Sequence, residues 1–523
     1  MSPRITRRQF GGLAAGAGLA AGLAAGPGSS PAQAQRRGGN IVFAAEAQPP
    51  TMDMHFSTTI ATRNIAMHMY EQLVTRGENN EVIPELAESY TESPDGLTYT
   101  FKLRQGIKFH NGKTMTSADV LASYQRYQRI GLSRSILGPV ASMTAPDPAT
   151  FTIVLRQRVP VFIDELSQFA VPVTIHPSEE MGKEGNRIDP IGTGPYQFGE
   201  WVPDSHVRLR RYDGYTADTR YPGTNGFGGN KTAHVDTIEF RYVREPGGRV
   251  AGLETGQFHA VEDIPARAAE RLRNNTAIQI HPLRFFWQQD AWMNHVKAPT
   301  NNLLVRRAIQ TGLDMEEIMT VAADGQFDLQ PGFQYPGNPY YVTDGQEFYN
   351  VNNKDRARAL LREAGYRGEQ LVLLTNSTFQ SMYNAGVSVT EQLREIGMTV
   401  RMDVFDWPTA QANQRNREAW NLWFTGQGTG PAVGPFAAYV NLVSPQNQAF
   451  EPDPVLDGFY NEMRTLPTER ERIAAFGRFQ RRAYEHVHFI KFGDLTKVQA
   501  ARSTVKGFRP YRIPRFWNVW LEG

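Results

Sequence analysis

Few residues of this 523-residue chain are spaced for covalent chemistry. His486 and His488, two apart, share a face if they lie on a strand and could fill two positions of a metal shell. No third ligand follows nearby, so packing is the simpler reading. Gly112-Lys113-Thr114 ends like a phosphate-binding loop, but the glycine needed five residues before Gly112 is Ile107. Glu262-Asp263 and Glu316-Glu317 are adjacent carboxylates, a pattern that solvated surfaces also produce. There is no G-x-S-x-G elbow and no H-E-x-x-H helix. The expectation is a protein that is not an enzyme and needs no cofactor. A hydrolase built from dispersed residues remains the alternative.

Binding is better provided for. In open α/β sheets, ligands sit beyond the carboxyl ends of the strands. Applied here, that rule selects the loops 46–56, 376–380, 406–407 and 425–435. Asp53 lies in the first loop, Asp406 and Trp407 in the third. Trp423 and Phe424 end the strand that enters the fourth, and Gln427 lies within it. Trp287, Asp290 and Trp292 fall in RFFWQQDAWMNH, where the chain is expected to pass from one lobe to the other.

The elements that would position these residues are readable from periodicity. Ser93-Pro94-Asp95-Gly96 is a turn. Leu97, Tyr99, Phe101 and Leu103 then alternate with polar residues as a half-buried strand. Gln105-Gly106 turns into a second short strand, 107–109, and Asn111-Gly112 turns again. Thr116 and Asp119 form a capping-box start for a helix whose face is Val120, Leu121, Tyr124 and Tyr127. Later, 370–374 and 399–405 read as parallel strands around a helix stopped by Gly397. The stretch 355–364 is an amphipathic helix ended by Gly365, and 420–424 is a further apolar strand. A helix is expected over 61–73. The class is α/β.

Thr6-Arg7-Arg8-Gln9-Phe10 precedes an Ala/Gly/Leu run to Ala25 and a small-x-small site at Ala32-Gln33-Ala34, the layout of a twin-arginine export leader. The chain has no cysteine, which excludes disulfides, thiolate metal sites and a lipidated cysteine. Without Arg4, Arg7 and Arg8 the 55 basic residues become 52, against 53 acidic ones. That balance points to no nucleic-acid partner. The mature part, at about 490 residues, is too long for one core.

Several of these segments also resemble a known family. Pro49 to Phe56 (with Met54 where proline is common), Ser93 to His110, Thr116 to Arg126, the GTGPY of Ile191 to Tyr196, and LETGQFHAVEDI at Leu253 to Ile264 occur in order. Asn294 with LVRRAIQTGLD at Leu304 to Asp314, RARALLREAGY at Arg356 to Tyr366, and EQLREIGMTV at Glu391 to Val400 follow. Together they resemble the extracytoplasmic solute-binding proteins of peptide/nickel-type ABC importers, family 5. The resemblance implies a two-lobed periplasmic binding protein fold with a hinge and an extra α+β domain inserted in the first lobe. The expected layout is leader 1–34, first lobe 38–83, inserted domain 84–185, first lobe again 186–280, second lobe 281–488, and a first-lobe return over 489–523. It implies a monomeric periplasmic receptor that captures a peptide or peptide-like solute and delivers it to an inner-membrane ABC permease. A receptor reporting to a signalling partner stays open as an alternative.

One departure stands out. Peptide-binding members carry an acidic loop whose aspartate pairs with the peptide's α-amino group. Here that loop reads TGQGTGPAVGPF, with Gln427 and Gly430 at the acidic positions and Pro431 retained. A buried ammonium needs a counter-charge, so Asp406 or Asp290 would have to supply it, or the solute is not a peptide. Trp423, Gln427 and Trp407 are expected to line the pocket, with Trp287, Asp53 and Phe424 as further candidates.

Overall fold

The computed structural model describes residues 36–57, 59–183, 187–429, 435–444 and 451–522. The leader motif, Gly430 and Pro431 lie outside these. The main sheet among the described residues is mixed and has eleven strands. Its spatial order begins Thr399–Phe405, Gln370–Asn376, Leu422–Gln427, Ile278–Met293 and Phe489–Arg502. It continues with Ala260–Val261, Asn40–Ala45, Thr237–Tyr242, His206–Arg211 and Tyr196–Val202. The eleventh strand, Phe327–Asp328, pairs with Phe489–Arg502 off this path.

The two long central strands make the sheet bipartite. Ile278–Met293 and Phe489–Arg502 pair antiparallel along most of their length, so both cross from one lobe to the other. Their register breaks between Leu283 and Trp287, and again between Gln289 and Asp290. At the first break Phe285 sits at φ 51°, a left-handed conformation that bulky residues seldom adopt. A ladder interrupted there on paired strands is where a rotation between lobes is least resisted.

In the first lobe, Asn40–Ala45 runs parallel to Thr237–Tyr242 and Ala260–Val261, and its Ile41 and Phe43 are fully buried. The GTGPY turn packs on the residues that follow helix Ile60–Ala66 because its glycines admit close backbone contact. A Cβ on Gly192 would stand 2.1 Å from the Met69 carbonyl oxygen, and one on Gly194 2.5 Å from that of His68. In the second lobe, Gln370–Asn376 and Thr399–Phe405 are parallel, as the βαβ pattern requires, with the helix Gln380–Glu395 between them.

A separate four-stranded antiparallel sheet carries the signature segment, in the order Ala87–Glu92, Thr98–Leu103, Thr150–Leu155, Val140–Asp147. Tyr99, Phe101 and Leu103 are buried, as their alternation predicts. The hairpin differs from expectation. Thr98–Leu103 turns back through Ser93–Gly96 onto Ala87–Glu92, while 107–109 makes only one bridge, Lys108 to Thr114. The helix Ser117–Ile130 begins with the expected capping box, Thr116 N donating to Asp119 Oδ2 at 2.9 Å. Lys113 pairs with Asp119 at 2.6 Å and with Glu179 at 2.6 Å, so the lysine of Gly112-Lys113-Thr114 braces a helix start.

Three boundaries shift. The helix expected over 61–73 closes at Ile60–Ala66, the one expected over 355–364 runs Lys354–Glu363, and the strand expected at 420–424 is Leu422–Gln427. Trp420 precedes that strand, fully buried, its indole N–H donating to the Gln414 carbonyl at 2.9 Å.

Candidate functional site: the cleft between the lobes

The period of two in strand Leu422–Gln427 decides which of its residues share a face. Trp423, Thr425 and Gln427 share one face, opposite Trp292, Asp290 and Gln288 of the crossing strand. Leu422 and Phe424 face the other way. Phe424 is fully buried in the second-lobe core and stacks on Phe492, with centroids 5.7 Å apart. The structure therefore corrects the expectation for Phe424: it is a core residue.

On the face carrying Trp423, Thr425 and Gln427 the tryptophans form a cluster. Trp423 meets Trp292 edge-on at 5.3 Å and stacks on Trp407 at 6.0 Å, and Phe379 closes against Trp407 at 5.3 Å. The Trp423 indole N–H is buried without an acceptor. Trp287 passes directly over Gly426, where a Cβ would lie 1.7 Å from its Nε1. The glycine at this strand position is thus required by the indole above it.

The acidic position of the peptide binders is filled differently. With its amide oriented to satisfy both ends, Gln427 accepts from Trp292 Nε1 at 2.9 Å and donates to the Ala438 carbonyl at 2.7 Å. A carboxylate could make only the first of these bonds.

Neither expected replacement charge stands ready. Asp406 is exposed and caps the helix Trp407–Gln414, accepting from Thr409 N at 3.1 Å and Thr409 Oγ1 at 2.7 Å. Those hydrogen bonds hold its pKa below the usual value. The structure corrects its reading as a cleft counter-charge. Asp290 is fully buried, and burial pushes its pKa up to about 8, against smaller opposing effects of Gln288 and Lys491. Its Oδ2 accepts from Gln288 at 3.1 Å, and its Oδ1 has no partner. Opposite it, Lys491 donates to Asp494 at 2.8 Å and to the Gly332 carbonyl at 2.6 Å.

Asp53 is also corrected. It is buried and forms a two-point ion pair with Arg126, Nη1 to Oδ1 at 3.0 Å and Nη2 to Oδ2 at 2.5 Å. The same Oδ1 accepts the His55 N–H at 3.0 Å. The signature helix thus fixes the loop after the first strand, and Asp53 is spent on that task.

Another long-range contact lies away from the tryptophans. Arg464 of helix Pro454–Thr465 reaches Glu165 with Nε to Oε1 at 2.7 Å and Nη2 to Oε2 at 2.9 Å. The pair borders a cavity of about 220 Å³ lined chiefly by Ile136, Gln168, Val171, Phe436, Val440 and Tyr460. That volume is below the roughly 300 Å³ at which solute pockets begin. None of the tryptophans borders it. His488 packs against His295 at 4.9 Å and lies 3.5 Å from Asp453. Among the described residues no group of three His, Asp or Glu could hold a metal.

Two buried arginines escaped sequence reasoning. Arg63 and Arg512 are both buried, and among the described residues neither forms an ion pair. Nothing in their local sequence distinguishes them from surface arginines.

A two-lobed sheet joined by two crossing strands, with an α+β module attached and aromatic side chains along the cleft, defines the class of hinged binding proteins. The chain belongs to the bacterial extracellular solute-binding proteins, family 5, whose middle region it matches over residues 81–450. It is 26% identical over 98% of its length and 99% of the relative's to a probable peptide ABC transporter periplasmic-binding protein, y4tO, of Sinorhizobium fredii. It is 29% identical to the glutathione-binding protein GsiB of Escherichia coli K12, over 70% of each chain. In fold it matches DppA of Helicobacter pylori in complex with the peptide STSA, with TM-score 0.81 and 22% identity over 93% and 99% of the two chains. It matches AgaA of A. tumefaciens R10 in complex with agropinic acid, with TM-score 0.80 and 24% identity over 93% and 99%.

Proposed function

We propose that this protein is the periplasmic receptor of an ABC importer for a peptide or peptide-like solute, held between the lobes and delivered to an inner-membrane permease. The observation that carries the reading is the pair of crossing strands with their ladder broken at Leu283–Trp287. A solute contacting both lobes gains its full set of contacts only when they close. Its binding therefore shifts the population towards the closed form by its differential affinity for the two states. The permease reads that form.

The chemistry of the cleft limits the solute. Gln427 is neutral and satisfied by Trp292 and Ala438. Asp290 is kept mostly protonated near neutral pH by burial. A free α-amine has no preformed anion at the position where peptide binders keep one. This favours solutes gripped by stacking on Trp423 and Trp407 and by groups other than an ammonium. Relatives are named with a peptide, glutathione and agropinic acid as ligands; the first two carry a free α-amine, which this cleft would have to hold without a preformed anion. The receptor is read as an exported monomer without a catalytic role.

Native mass spectrometry of protein taken from its own periplasm tests the reading. A retained small solute that is released on mild unfolding, unaltered after prolonged incubation, supports it. A solute converted to product would replace the receptor by a hydrolase.

A further inference from the structure

Arg63 follows the first-lobe strand Asn40–Ala45 by way of its loop, in helix Ile60–Ala66, and Arg512 belongs to the carboxyl-terminal return. Arg63 stacks on Phe169 with Cζ 5.1 Å from the ring centroid and donates through Nη1 to the Ala170 carbonyl at 3.1 Å. Arg512 stacks on Phe286 at 4.4 Å, and its Nη1 and Nη2 donate to the carbonyls of Phe285 (3.2 Å) and Phe286. Those carbonyls belong to the stretch where the crossing strands lose register. In both arginines the Nε–H is buried and has no acceptor.

Two guanidiniums out of water and near one another are unfavourable, since each pays desolvation and they repel. Burial, and for Arg63 the charge of Arg512 as well, lowers Arg63 to about 9, and burial lowers Arg512 to about 10. Several other buried cations are matched by carboxylates: Arg126 by Asp53, Lys231 by Glu71 and Glu85, Lys497 by Glu262. Among the described residues Arg249 and Arg306 are buried without an ion pair too, but their Nε–H groups donate to the carbonyls of Asp263 and His486. From the second lobe, Tyr335 stacks on Phe285 at 5.2 Å, and its neighbour Gln334 is fully buried with neither end of its amide bonded.

We propose that Arg63 and Arg512 form a carboxylate-binding subsite at the hinge end of the cleft, completed from the second lobe by Gln334, so that the solute is recognised through an acidic group. The stacked rings cover the faces of the guanidiniums, and main-chain carbonyls take part of their edges. The Nε–H edge that accepts a carboxylate side-on is left over. Because Arg512 grips the hinge carbonyls, an anion bound there acts where the lobe angle is set. The subsite rests on the receptor reading but is tested apart from it.

Thermal unfolding of the mature protein is followed at constant ionic strength with trialanine, trialanine amide, succinate, inorganic phosphate or chloride. The variants are Arg63→Met, Arg512→Met and the double. Trialanine or succinate should raise the wild-type Tm where the amide and chloride do not. Each single variant should weaken that response by about 10- to 100-fold in apparent Kd. The ligand-free double variant should melt no lower than wild type, since two unmatched buried charges are gone.

Equal responses to trialanine and its amide would overturn the subsite and leave the receptor intact. A succinate response abolished by the variants, with neither tripeptide active, would support the subsite and count against a peptide solute. Phosphate outperforming succinate would overturn the carboxylate assignment. No response of wild type to any carboxylate, or variants that melt several degrees lower yet respond like wild type, would reduce both arginines to a structural role.

Discussion

Asp53→Asn offers the sharpest test of how the cleft loop is held. The substitution keeps shape and removes the charge that faces Arg126. Both partners are almost completely buried, at 2% and 1% exposure, and joined by two hydrogen bonds. Deleting one member of such a pair leaves the other charge buried and uncompensated, which costs about 3–5 kcal/mol. A surface pair would cost no more than about 1 kcal/mol. The asparagine can still accept the His55 N–H, so the loss reads the ion pair itself. Urea unfolding followed by tryptophan fluorescence measures it as a lower midpoint at unchanged slope. Asp53→Met with Arg126→Met together should recover most of the loss, because an apolar pair has no charge to strand. Loss of under about 1 kcal/mol, with solute affinity falling instead, would return Asp53 to the binding site.

Three other perturbations probe the cleft. Gly426→Ala drives a methyl into the Trp287 indole; about 1–3 kcal/mol should be lost, with a shift in tryptophan emission. The Asp290 carboxyl, raised by burial from 3.8 to about 8, favours the folded state most at acid pH, and that contribution is lost as pH rises through this window. Wild type should therefore lose about 1.4 kcal/mol more stability per pH unit than Asp290→Asn between roughly pH 5 and 7, as measured by denaturation at each pH. Glu165 is raised by burial, an effect that Arg464 opposes. Arg464→Met strands it where segment 84–185 meets helix Pro454–Thr465, so the ligand-free protein should open there, seen as a larger radius of gyration by small-angle scattering. An unchanged radius would show that the ion pair does not hold these two segments together.

Much of the architecture was legible because it is local. Alternation in 98–103, the Thr116–Asp119 box and the parallel pair around helix Gln380–Glu395 each follow from a few adjacent residues. The close approaches at the glycines of GTGPY and TGQG appear only in the fold, where Met69 and Trp287 pass against them. The hairpin partner was misread because 107–109 has a strand's pattern, whereas Ala87–Glu92 across the turn offers the longer ladder.

The sequence alone determined the class of protein, the position of the crossing segment and the neutral residue at 427. These are properties of residue type and order. Which charges are already spent was decided only by tertiary structure. Asp53 and Arg126 stand 73 positions apart, and Arg63 and Arg512 come from opposite ends of the chain. A lone arginine has the same local signature whether it faces water, a carboxylate or another arginine. Burial and partnering are set by contacts between distant segments, and those contacts determine what charge the cleft can accept.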